Sequence, residues 1–178
     1  TNNSNGTSVT GTYGTLVIGA DGSYTYTADQ SAADDLDAND TAPDTFVYTI
    51  TDDHGATDTA DLVITVTGVN DDPVAVNDTD SVTADQSVSK SASQDDVMND
   101  DYDPDDDDTF TVTHIKKSGA ASNSTVSSST TNANGTSVTG TYGVLTIGAD
   151  GSYTYNANNA DSLADGIEGT DTFVYTLT

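Results

Sequence analysis

The chain is predicted to be all-β, built as sandwich repeats in tandem. Three features carry that prediction: a palette of strand and turn formers, short runs of alternating apolar residues, and a long internal duplication. The 178 residues are rich in Thr, Ser, Val, Gly and Tyr, with no Trp, Cys or Arg. Strand formers plus turn formers, without helix formers, leave little from which to build helices. The hydrophobic fraction of 33% is thin for a core, yet Val, Ile, Leu, Tyr and Phe recur in patterned runs, which separates the chain from a disordered one.

The strands are legible in order. Leu16 and Ile18 alternate with Val17, Ala20-Asp21-Gly22 makes a turn, and Tyr24 and Tyr26 alternate with Thr25. That is a hairpin with a glycine at its bend. Phe46, Tyr48 and Ile50 share the face of a second element, and Leu62, Ile64 and Val66 that of a third. After the turn Asn70-Asp71-Asp72-Pro73, Val74 and Val76 begin a fourth; Phe110, Val112 and Ile115 mark a fifth. Residues 118–135 (SGAASNSTVSSSTTNANG) read as a loop or a weakly packed edge strand. Short strands punctuated by Gly/Asp turns suggest a sandwich of immunoglobulin or cadherin type. No segment shows a helical period.

The duplication sets the frame. Gly6–Tyr13 reads GTSVTGTY and returns unchanged at Gly135–Tyr142, an offset of 129. The match runs on to Tyr26 and Tyr155. It resumes at Asp44–Thr49 and Asp171–Thr176 with an offset of 127, two residues being missing from the intervening loop. The chain therefore holds about 1.4 repeats, out of frame.

The charge of −27 comes from 30 acids against three lysines, Lys90, Lys116 and Lys117, and Glu168 is the only Glu. Glu and Asp carry equal charge, but Asp favours turns and metal-binding loops. Near-exclusive Asp use, with no disulfide to support the fold, points to calcium, which takes six to eight hard oxygen ligands. Three clusters qualify. One is Asn99, Asp100, Asp103, Asp105 and Asp107; it is no EF-hand, because counting from Asp103 places Asp108 where that loop needs Gly and His114 where it needs Glu. The second is Asn70, Asp71, Asp72, Asn77 and Asp78. The third is Asp52, Asp53 and Asp58, with Asp61 beside them, expected to face the 70–72 junction. A weaker fourth is the loop Asp34, Asp35, Asp37, Asn39 and Asp40.

Other classes are disfavoured. Phosphate backbones would be repelled by this surface, so nucleic acid is excluded as a partner. No apolar run approaches membrane-spanning length, so no membrane insertion is expected. There is no signal-peptide pattern, and any export signal is expected elsewhere. Neither His54 nor His114 lies in a nucleophile or metal motif, and no Trp offers a sugar platform; the chain is not expected to be an enzyme.

The hairpin 14–26, the segment 44–73 (DTFVYTITDDHGATDTADLVITVTGVNDDP) and the segment 96–112 (DVMNDDYDPDDDDTFTV) resemble the VCBS and bacterial cadherin-like tandem repeats of large secreted, RTX-type adhesins. The resemblance implies calcium at junctions and loops, type I secretion to the bacterial surface or the extracellular space, and a spacer, fibre or biofilm role. Its register makes residues 1–69 the C-terminal part of one repeat and residues 70–178 the next, lacking its last strand. Expected partners are neighbouring repeats or identical chains, with cell-surface or matrix glycans as the alternative, adhesive reading. Asp61–Thr67, the strand that the second repeat lacks, is expected to be able to complete another molecule and give a head-to-tail filament.

Overall fold

A computed structural model describes residues 1–92, 95–105 and 107–178. It divides into two compact units. The first comprises Thr1–Asp71 with the loop Pro104–Asp108, and the second Asp72–Asp103 with Thr109–Thr178.

In the first unit, β1 (Thr7–Thr10), β2 (Thr15–Ile18) and β3 (Tyr24–Thr27) form an antiparallel meander. The single helical turn α1 (Ser31–Asp34) leads to the long hairpin of β4 (Thr41–Thr51) and β5 (Thr57–Thr67). The β2–β3 turn closes because Asp21 accepts from the amide and hydroxyl of Ser23, at 3.1 and 2.6 Å, while Gly22 takes φ +85°. A side chain would be strained in that left-handed conformation.

The second unit is a two-layer sandwich. One sheet has the order β6 (Ser87–Lys90), β11 (Tyr153–Asn156), β10 (Val144–Ile147), β9 (Thr136–Thr139). The other runs β12 (Phe173–Leu177), β7 (Val112–Lys117), β8 (Ser124–Thr125). Val97, Val112, Ile115, Val126, Leu145, Ile147, Ala149 and Tyr153 fill the space between them.

The duplicated segments fold alike. β9, β10 and β11 repeat β1, β2 and β3, and β12 repeats β4. Each copy is locked by one buried carboxylate. Asp44 accepts from the amides of Thr12 and Tyr13 at 3.1 Å each and from the Tyr26 hydroxyl at 2.9 Å. Asp171 accepts from the amide of Thr141, from that of Tyr142 at 2.9 Å and from the Tyr155 hydroxyl at 2.7 Å. Burial opposes ionisation of both carboxyls, but the donors outweigh it and hold each below the usual carboxylate range. Each tyrosine then meets a phenylalanine edge-on, Tyr26 with Phe46 and Tyr155 with Phe173, at 6.1 and 6.2 Å between centroids.

Four expectations change. Val74 makes only a single bridge to Tyr102, and no strand follows. The amide of Val76 is taken instead by the Asp101 carboxylate, at 2.6 Å. The fifth strand begins at Val112 and leaves Phe110 outside it. The Ser/Thr-rich stretch supplies both the edge strand β8 and a core residue, Val126, which is 4% exposed. Finally, β5 is paired with β4 along all 11 residues, from Thr41↔Thr67 to Thr51↔Thr57, so Asp61–Thr67 has a partner strand along one edge within the chain.

Candidate cation sites

The strongest carboxylate cluster of the first unit lies where β5 ends. The amide of Gly68 donates to the Asp40 carbonyl at 2.9 Å, and that of Asn39 to the Gly68 carbonyl at 3.3 Å. A side chain at Gly68 would collide with the carbonyls of Leu36 and Asp37, so only glycine lets the 35–40 loop lie this close. Asn39 closes the loop at φ +75°, which Asn tolerates better than most residues.

The loop so pinned presents Asp37 to the 104–108 segment. Asp105 is 2% exposed, and its Oδ2 accepts from the amide of Asp71 at 2.8 Å. Along that segment, carboxylate oxygens of Asp105 and Asp108 lie within 4.8 Å of each other. Burial pushes the Asp37 carboxyl above the usual range, and Asp108, Asp105, Asp40 and Asp107 push it further. Its Oδ1 is buried with no hydrogen-bond donor among the described residues. Like charges packed this closely repel one another. Two of the three lysines are engaged elsewhere: Lys90 lies 3.6 Å from Asp80, and Lys117 lies 3.8 Å from Asp171.

A second group forms in the second unit around the Tyr175 hydroxyl. The carbonyls of Val76 (3.0 Å) and Val97 (2.9 Å), the Asp101 carboxylate (3.0 and 3.1 Å) and Asp78 (3.3 Å) all surround that one proton. Burial raises the phenol first, and the Asp101 carboxylate raises it further. Asp78 is pushed up to about 6 by burial, then by Asp100, Asp101 and Asp96. Asp96 and Asp101 are 4% and 9% exposed. Asp78, Asp95, Asp96, Asn99 and Asp100 line a groove of about 260 Å³ together with Thr79, Tyr153 and one cation, Lys90.

The expected groupings are thus rearranged. Asp105 and Asp107 part from Asn99, Asp100 and Asp103: they belong to the first unit, where their charge acts on Asp37, whereas the other three belong to the second, where the charge of Asp100 acts on Asp78. Of the junction set, Asp71 reaches Asp105 through its backbone, while Asn70, Asp72 and Asn77 are exposed. Asp52 and Asp53 sit with His54 at the tip of the β4–β5 hairpin, all exposed. There Asp52 caps the turn by accepting from the amides of His54 (2.9 Å) and Ala56 (2.8 Å). Asp58 lies at the same end, opposite Ile50. Ten residues of strand at about 3.3 Å each put this tip roughly 33 Å from the end of β5. It therefore does not face the 70–72 junction; the 34–40 loop does. Asp96 and Asp101 escaped the sequence reading, although their places beside Val97 and Tyr102 were the available signal.

His114 is half-buried on β7, with Nδ1 3.2 Å from the Thr113 hydroxyl. Among the described residues no helix is long and apolar enough to cross a membrane. Residues 1–68 match the family model of the bacterial cadherin-like domain. No curated protein matches the chain. The match covers the first 68 residues, and the all-β fold is consistent with a cadherin-like module there. Such modules are typically non-enzymatic and structural, occur in surface or extracellular proteins, and generally bind calcium.

Proposed function

We propose that the chain is a calcium-stabilised structural repeat, a spacer or fibre unit of a secreted bacterial surface adhesin. The observation that carries this reading is Asp37: a buried carboxylate oxygen with no donor among the described residues, facing Asp105 and Asp108 at the end of β5. Carboxylates from two loops and no lysine make a donor set of hard oxygens, which suits calcium. Asp37, Asp105 and Asp108 would hold the ion, tying the 35–40 loop to the 104–108 segment. In a compartment poor in calcium the same charges repel, which favours export of a loosely folded chain through a type I system and folding outside.

The test is a thermal melt in about 10 mM calcium against chelator, with sodium chloride matching the ionic strength. A site with Kd of ~10⁻⁴–10⁻³ M adds roughly 1.4–2.7 kcal/mol under those conditions. An equal melting temperature in calcium and chelator refutes the reading. A second reading, calcium-dependent adhesion to a surface glycan, is favoured by Tyr102, 54% exposed beside Asp101 and Asp103. A glycan array probed with and without calcium decides for or against it.

A further inference from the structure

The turn that opens each meander ends in Asn-Gly, at Asn5-Gly6 before β1 and at Asn134-Gly135 before β9, and no other Asn in the chain precedes a glycine. Glycine is required at both places, because a Cβ would strike the Ile18 carbonyl from Gly6 and the Ile147 carbonyl from Gly135. The two turns share their backbone bonds. The amide of Asn5 donates to the Asn2 carbonyl at 3.0 Å, and that of Asn134 to the Thr131 carbonyl at 3.1 Å. The amides of Asn3 and Asn132 donate to the Ser23 and Ser152 hydroxyls, at 2.8 Å each. Asn5 and Asn134 are both exposed.

An asparagine before glycine is open to attack by its own backbone, since no Cβ shields the next amide. The glycine nitrogen bonds to the Asn Cγ, the Cγ–Nδ2 bond breaks, and the proton from that nitrogen leaves with Nδ2 as ammonia. Water then opens the cyclic imide at one of its two carbonyls and gives aspartate or isoaspartate. The side chain must first swing its Cγ onto the glycine nitrogen, and here the copies differ. Asn134 Oδ1 accepts from the Thr131 amide at 2.8 Å and from the Thr131 hydroxyl at 3.4 Å, while that hydroxyl accepts from the Ala133 amide at 3.2 Å. This is a reciprocal arrangement of the capping-box type. In the first copy the place of Thr131 is taken by Asn2, whose Oδ1 accepts from the Ser4 amide at 3.1 Å. Among the described residues no donor holds the Asn5 side chain. The contrast lies in residues that both copies contain.

We propose that the chain carries a matched pair of deamidation sites with opposite fates: Asn5 converts to aspartate and isoaspartate, whereas Thr131 holds Asn134 against the same reaction. Conversion of Asn5 adds one negative charge to a chain already at −27. As isoaspartate it also lengthens the backbone by a methylene just before β1, where Gly6 lies against the Ile18 carbonyl. The inference is independent of the cation reading, because no carboxylate cluster takes part in it.

The test is to age the folded full chain in mildly alkaline buffer with calcium and follow both sites by peptide mass mapping, with enzymatic methyl labelling of isoaspartate. The peptide carrying Asn5 should convert about tenfold faster than that carrying Asn134, the worth of the two bonds from Thr131. In the chain unfolded by denaturant the two rates should agree, since SNGTS and ANGTS are nearly the same sequence. Exchanging the holding residue should exchange the fates: Thr131→Asn speeds Asn134 about tenfold, and Asn2→Thr slows Asn5. Equal rates in the folded chain overturn the proposal. So does a difference that persists in denaturant, a Thr131→Asn variant in which Asn134 stays slow, or an Asn5 that remains intact in the folded chain while the unfolded chain converts.

Discussion

Asp171→Ala should be among the most damaging single changes on the surface-poor side of the second unit, and its cost can be worked from the contacts. The side chain is 2% exposed and accepts from two backbone amides and the Tyr155 hydroxyl. Hydrogen bonds to an ionised acceptor contribute about 1.5–3 kcal/mol each, and donors left buried carry a further cost. Thr141 is exposed, so water replaces the carboxylate at its amide, whereas Tyr142 and Tyr155 are half-buried. Counting two donors at the lower value gives a loss of about 3 kcal/mol. The Lys117 pair at 3.8 Å is partly exposed and adds under about 0.5 kcal/mol after screening. For a unit near 100 residues this is a fall of roughly 12–24 °C in Tm. Calorimetry in calcium at pH 7 reads it, with exposed Asp161→Ala as the comparison, expected within about 0.5 kcal/mol of the parent. Asp171→Asn, which keeps one acceptor oxygen, should fall between the two. If Asp171→Ala melts with Asp161→Ala, the carboxylate is not what holds the β9–β10 turn to β12, and the equivalent role of Asp44 fails with it.

Two further outcomes follow from the carboxylate clusters. Asp37→Asn should raise the melting temperature in chelator, because it removes one charge from a self-repelling group, and lower it in calcium, because it removes a ligand; Asp52→Asn at the hairpin tip should show neither calcium-linked change. Melts in chelator across pH test Asp78. Between its ordinary value of 3.8 and about 6 the folded chain holds a proton that the unfolded chain has released. Stability should therefore rise as pH falls from 7 towards 5. Asp44 and Asp171, held below the usual range, contribute the opposite sign, and their stabilisation is lost as pH falls below about 4. A chelated protein whose stability only declines from pH 7 downwards would show that the Asp78 group does not repel as described.

Much of the fold could be read from alternation, because β2, β3, β4 and β5 each place apolar residues on every second position. β6 could not: Ser87–Lys90 has one apolar residue, Val88, and becomes a strand only because β11 offers it an edge. Val74 and Val76 alternate convincingly, yet a carboxylate competes for the Val76 amide and stops the ladder after one bridge. The candidate sites failed in a different way. Spacing shows which aspartates are neighbours in the chain, but not which end of a hairpin they reach. Asp52 and Asp71 lie 19 residues apart in sequence, and the intervening strand carries them to opposite ends of β5. Asp37, in the loop ranked weakest, is the one brought to the junction, and the agent is Gly68, a residue without a side chain.

The contrast between Tyr24 and Tyr153 bears on what a repeat is in this chain. Both lie in the same sequence, ADGSYTY, with the same turn and the same strand register, so local sequence dictates neither burial nor exposure. What differs is the presence of β6–β8, which come from the opposite half of the repeat. Leu16 and Phe46 are buried in the first unit without those strands, at 2% and 7% exposure, so the C-terminal half assembles part of its core alone. The remainder of the core is contributed across a boundary that the backbone crosses through residues 127–135, where the Asn132 side chain donates to the Ser89 and Thr154 hydroxyls at 2.9 and 3.2 Å.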